Sequence, residues 1–305
     1  MKGLAAWIMK GRTQAASAAS LFLVLALIVT PSGLFSAAVI GLVTLRLGAR
    51  EGVWVAFLST LVSAVLGGLL FGQPLALPVA GLALWVPMMG LALVLRTTRS
   101  LRLAVEAAVV AAALLVVVQH LMLDDVTAHW KGVLSDYAQQ ILDPAVVSEA
   151  ERRMMVDQLA PWMAGGLAAA WLVQSLLALF LARGWQALLY NPGGFATEFR
   201  SLRLGRWLLV VVPLLLLAGM AEDRPGLAGQ TALVGMTAFL FQGVAAVHGL
   251  VARSKNGGLW LAGFYFMLVI GMPASFTLVS AFGFADGLID FRTRVRSRGS
   301  GNGDE

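Results

Sequence analysis

The chain has 305 residues, of which 59% are apolar and only 12% charged, whereas soluble domains run at roughly 45–50% apolar and about 25% charged. A soluble globular protein is therefore excluded, and the apolar blocks indicate an all-α, polytopic transmembrane helical bundle. The net charge of +6 would suggest nucleic acid in a soluble chain, but here the basic residues sit in short segments between apolar blocks and no basic face is interleaved with stacking aromatics, so no nucleic-acid partner is expected. The absence of Cys removes disulfides, thiolate catalysis and cysteine metal sites together. No cofactor is implied.

Lys2, Lys10 and Arg12 precede an apolar run from Leu21 to Val29, the layout of a secretory signal. Apolar sequence resumes at Leu34, so residues 1–14 read as a cytoplasmic N-terminus before an uncleaved first span. A hydrocarbon core about 30 Å thick needs roughly 20 helical residues. Apolar blocks of that order run over 15–30, 34–47, 53–71, 79–95 and 103–122, forming an N-terminal membrane bundle within 15–122, and over 161–182, 207–220, 227–251 and 259–284, forming a C-terminal one within 161–291.

The first two segments are short arms meeting at Pro31-Ser32-Gly33. The ninth contains Gly271-Met272-Pro273, which can turn a hairpin of 259–270 and 274–289. Nine or ten segments are thus expected. Broken pairs in both halves point to a midplane binding site, or else are tight turns at the outer surface.

With the N-terminus inside, the tail to Arg12 and the loops after the even-numbered spans carry 14 of the 22 Lys and Arg. These are Lys2, Lys10, Arg12, Arg46, Arg50, Arg96, Arg99, Arg102, Arg183, Arg200, Arg203, Arg206, Arg253 and Lys255. The outer loops carry Lys131, Arg152, Arg153 and Arg224, so the positive-inside rule places the N-terminus in the cytoplasm. Arg292, Arg294, Arg296 and Arg298 lie in the tail 292–305; ten crossings, the preferred count, return it to the cytoplasm, and nine leave it outside.

Residues 123–160 form an acidic extracytoplasmic loop. Asp143-Pro144 reads as an N-cap followed by proline at the first helical position, leading an amphipathic helix to about Leu159 with Val146, Val147, Met154, Met155 and Leu159 as its apolar members. That helix would lie along the outer face or act as a lid. The basic cytoplasmic loop 183–206 holds Phe195, Phe199 and Leu202 at helical spacing beside Arg200, Arg203 and Arg206, as in a short interfacial helix meeting anionic headgroups. Gly193-Gly194 is not a phosphate loop, since no Gly-Lys-Ser/Thr follows.

His120, Asp124, Asp125 and His129 invite a metal reading, but at 100° per residue they divide between opposite helix faces, so no metal site is expected. Glu106 lies one turn beyond Arg102, and the two should pair. Gln119, Gln174, Gln242, His248 and Asp286 are polar groups in apolar blocks, candidates for interhelical hydrogen bonds or a substrate cavity. Ser59, Ser63 and Gly67 form a small-residue ridge for close helix packing. Neither a nucleophile with its base nor a His-Glu metal motif occurs, so no catalytic residue is assigned and an enzyme is not expected.

Leu45-Arg46-Leu47-Gly48-Ala49-Arg50-Glu51-Gly52, Phe241-Gln242-Gly243-Val244-Ala245, Gly283 to Asp286 and Asp290-Phe291-Arg292-Thr293-Arg294 resemble stretches of the bacterial YybS-like family of multi-pass membrane proteins of unknown function. That family is distantly similar to the S components of energy-coupling-factor transporters. The resemblance implies a substrate-binding subunit without its own ATPase, working with a coupling membrane protein and ATPases. Ala15 and Ala19 match the Ala-xxx-Ala pattern through which S components meet the coupling protein. The chain departs from the S-component pattern in its larger number of segments and its acidic loop. The alternatives are a non-transporting scaffold or envelope-assembly protein and a membrane-embedded enzyme.

Overall fold

Helix is the only regular structure among the described residues of the computed structural model, which are 1–143, 146–252, 254–289 and 291. In chain order the helices are α1 (Lys2–Ile8), α2 (Arg12–Leu25), α3 (Ser32–Leu47), α4 (Ala49–Phe71), α5 (Ala76–Thr98), α6 (Leu101–Met122) and α7 (Val126–Ile141). They continue as α8 (Glu149–Leu159), α9 (Met163–Tyr190), α10 (Gly194–Arg200), α11 (Arg206–Met220), α12 (Leu227–Val251), α13 (Gly257–Ile270) and α14 (Ala274–Ile289). Among the described residues, five helical stretches are long and apolar enough to cross a membrane: Ala49–Phe71, Ala76–Thr98, Leu101–Met122, the continuous Glu149–Tyr190, and Leu227–Val251. The protein is an all-α bundle of the membrane class.

Two units divide the chain. The first comprises Met1–Ala108 and Val173–Leu202, and the second Val109–Leu172 and the chain from Arg203 on. In the first unit α3 is buried continuously from Ser36 to Leu45. A helix apolar on every side belongs at the centre of a bundle, and α2, α4 and α5 pack around it. Small residues set the spacing. Ser59, Ser63 and Gly67 of α4 are all buried. Ser20 of α2 donates to the Ser59 carbonyl at 3.1 Å, and Ser63 donates to Ser20 Oγ at 3.5 Å. Ser36 donates to the Ala19 carbonyl at 2.7 Å and accepts from Trp85 Nε1 at 3.0 Å, so the polar edge of a fully buried indole is satisfied.

In the second unit α12 is the central helix, packed on α14 and α11. Gly243 and Gly283 permit the first contact. A Cβ on Gly283 would fall 2.0 Å from the Phe239 carbonyl oxygen, and one on Gly243 would fall 2.2 Å from that of Val279. Glu222 closes the start of α12 by accepting from the N–H groups of Gly226, Ala228 and Gly229 at 2.9, 3.1 and 3.2 Å. The break expected at Gly271-Met272-Pro273 separates α13 from α14. At 1.5 Å per residue these arms are about 21 and 24 Å long, short of the hydrocarbon thickness.

Several expectations are corrected. The segment between the bundles holds two helices rather than one. α8 starts at Glu149 under a capping box made by Ser148 and Glu151, so Asp143 is not its cap; Pro144 lies outside the described residues. The buried apolar residue of α8 is Val156, while Met154, Met155 and Leu159 are exposed. The loop assigned to 183–206 is mostly helix, because α9 runs on to Tyr190 and α10 follows at Gly194. Phe195 and Phe199 pack against Phe180, with ring centroids 5.9 and 5.3 Å away, and both stay half-buried.

Candidate anion site

The polar residues singled out from the sequence do not gather at a single site. Gln242 is fully buried, and both ends of its amide are engaged: Oε1 accepts from the Leu204 N–H at 2.8 Å and Nε2 donates to the Gly283 carbonyl at 2.8 Å. It ties the start of α11 and the middle of α14 to α12. Gln119 donates to Leu115 O at 3.2 Å and accepts from Trp130 Nε1 at 3.1 Å. His248 Nε2 lies 2.8 Å from the Tyr265 hydroxyl. Gln174 is half-buried, and Asp286 is 1% exposed in α14. Glu106 pairs with Arg102 at 2.6 Å. Asp125 caps α7 through the Ala128 N–H at 2.9 Å. Phe291 stacks on Phe282, whereas Asp290 and Arg292 lie outside the described residues. Ala15 and Ala19 are 1% and 0% exposed, so they serve packing inside the first unit and present no surface to a partner.

What the tertiary structure does assemble is a crevice of about 670 Å³ in the first unit, lined by Leu45, Arg46, Leu95, Arg96, Arg99, Arg183, Gln186, Tyr190, Asn191 and Glu198. Three helix C-termini meet there. α3 contributes Arg46 from its last turn, the end of α5 contributes Arg96 and the capping residue Arg99, and α9 contributes Arg183 through Tyr190. Terminal carbonyls of a helix lack intrahelical partners and carry about half a negative charge. Arg96 answers this directly, donating from Nη1 to the Leu45 and Arg46 carbonyls, both at 2.7 Å.

Arg183 is held by Glu198 of α10, which accepts from its Nε at 2.9 Å and also from its Nη2, and by Gln186, which accepts from Nη1 at 3.1 Å. The Arg46 guanidinium lies over the Tyr190 ring at 4.1 Å, a contact through its face that leaves its N–H edges for other acceptors. Arg99 caps α5 with φ +54° and an exposed side chain that makes no hydrogen bond among the described residues. The formal charge of the lining, four arginines and one glutamate, is +3. Such a crevice can bind an anion.

Counting arginines by loop registers these residues only as topological signals. Arg46, Arg96, Arg99 and Arg183 do share one sequence feature, since all fall at the ends of even-numbered segments or in the loops after them. No protein-family model, curated protein or solved structure matches the chain.

Proposed function

We propose that this multi-pass membrane protein resides in the bacterial cytoplasmic membrane and captures a small anion at the cytoplasmic end of its first unit. It would act as a substrate-binding subunit of the S-component kind, drawing energy from a separate coupling protein and ATPases. The observation that carries this reading is the convergence of Arg46, Arg96, Arg99 and Arg183 on one crevice. Packing alone does not require four cations there, because Arg96 by itself meets the Leu45 and Arg46 carbonyls at the end of α3. Gln242, the sequence-based candidate, is committed to two backbone groups, so the ligand reading moves from the midplane to the helix ends.

The test is thermal denaturation of the purified full-length protein against inorganic phosphate, sulfate, succinate and citrate. Saturable stabilisation by at least one of them is expected, reaching about 2.7 kcal/mol at a hundredfold excess over Kd. Copurification of a coupling membrane protein with ATPases would support the transport role.

A scaffold is the second reading, favoured by the exposed apolar residues Tyr137 and Ile141 of α7 and Met154 and Leu159 of α8. Indifference to every anion, together with a fixed partner lost on deleting α7 and α8, would favour the scaffold.

A further inference from the structure

We infer that the arginine crevice of the first unit recognises a phosphate group, with Arg46 and Arg99 as the two guanidinium forks that grip it. The inference rests on the anion-capture reading and narrows it to one chemical class. Of the four arginines, two have structural work: Arg96 ties α5 to the end of α3, and Arg183 is engaged by Glu198 and Gln186. Arg46 and Arg99 remain. The Tyr190 ring fixes the plane of Arg46 at 4.1 Å without using its N–H donors, and Arg99, the C-terminal cap of α5, lines the same crevice. Two planar forks lining one crevice suit a phosphate, whose oxygens diverge tetrahedrally and can be divided between them, where a single planar carboxylate occupies one fork.

Charge narrows the class further. The formal +3 of the lining is offset by three helix C-termini at about −0.5 each, leaving about +1.5 for a ligand. A phosphate monoester or diester, carrying between one and two negative charges, matches that value. A polyphosphate exceeds it, and Glu198 on the rim would repel the surplus. The amides of Gln186 and Asn191 and the Tyr190 hydroxyl supply neutral donors for the remaining oxygens. The volume of about 670 Å³ exceeds that of a phosphate ion and leaves room for further atoms carried on the phosphate. A free phosphate ester and a phospholipid headgroup share this chemistry, and basic crevices at cytoplasmic helix ends suit both.

The experiment uses the full-length protein in phosphatidylcholine nanodiscs. One arm titrates glycerol 3-phosphate, another replaces phosphatidylcholine by phosphatidylglycerol in increasing proportion, and a third titrates succinate at matched ionic strength. Melting temperature and calorimetric heat are read in each. A response to glycerol 3-phosphate alone identifies a free ester and a response to phosphatidylglycerol alone a headgroup; either supports the proposal. The Arg46→Gln/Arg99→Gln double variant should weaken that response by about tenfold or more, since charge-assisted hydrogen bonds are lost, while Lys255→Gln, an exposed cation of the second unit, should leave it unchanged. If the double variant does not fold, Arg99→Glu at the exposed end of α5 provides the same reading.

Succinate binding as well as the phosphate probes, through the same arginines, would overturn the phosphate assignment and leave anion capture standing. No response in any arm would overturn both. A phosphate response indifferent to the Arg46 and Arg99 substitutions would overturn the proposed forks.

Discussion

Gln242 shows how a polar residue in an apolar helix is explained once its neighbours are known. Its carbonyl oxygen takes the N–H of Leu204, which lies just outside α11 and has no helical partner, and its amide nitrogen reaches the Gly283 carbonyl. Replacing Gln242 by Leu should therefore strand one buried donor, because Gly283 O keeps the bond that α-helix geometry gives it four residues on. The expected cost is roughly 1–3 kcal/mol, read as a lower melting temperature, with the anion response of the first unit intact. An unchanged melting temperature would argue against the staple role. The sequence marked Gln242 as significant through its polarity alone, but its partners lie 38 and 41 residues away, and no local pattern specifies them.

At the scale of elements, helix ends were the least legible feature and the most consequential. Gly271 and Pro273 together announced the break between α13 and α14, since proline removes a backbone donor and disfavours helix at the residue before it, although Pro87 and Pro213 are accommodated inside α5 and α11. The Asp-Pro pair at 143–144 suggested a cap, yet Ser148 with Glu151 satisfies two orphan N–H groups reciprocally. α12 begins under a more distant cap, the Glu222 carboxylate on three N–H groups. Burial pushes the Glu222 carboxyl upward, but those three donors and the nearby charge of His120 outweigh it and hold the group below its ordinary range. Its folded pKa is thus depressed, so the stability it contributes is present above the ordinary carboxylate value of about 4.3 and is lost as pH falls through the lower folded value. Glu222→Gln should lower the melting temperature at neutral pH, at a cost of about 1 kcal/mol typical of a lost cap. The loss should shrink in acid. A difference that stays constant from neutral to strongly acidic pH would sink this account.

At the scale of the whole molecule, the distribution of charge gives an expected membrane orientation. The chain has no Cys, so single cysteines report sidedness cleanly. Asn191→Cys, beside the arginine crevice, should react with a membrane-impermeant thiol reagent only after permeabilisation, and Asp136→Cys in α7 should react in intact cells. Ser300→Cys should follow Asn191→Cys if α13 and α14 both cross, and follow Asp136→Cys if they form one crossing. The same reactivity at residues 136 and 191 would reject the assigned topology. By itself the sequence determined the helical membrane class, the approximate segments and the bias of positive charge, because transfer into lipid depends on local composition over about 20 residues. Only the tertiary structure decided that three helix ends bring Arg46, Arg96, Arg99 and Arg183 around one crevice, and which of those cations are already engaged. That outcome depends on close packing at small residues such as Gly41, where a Cβ would fall 2.5 Å from Met88 of α5 and 3.0 Å from Ala182 of α9, contacts between residues far apart in the chain.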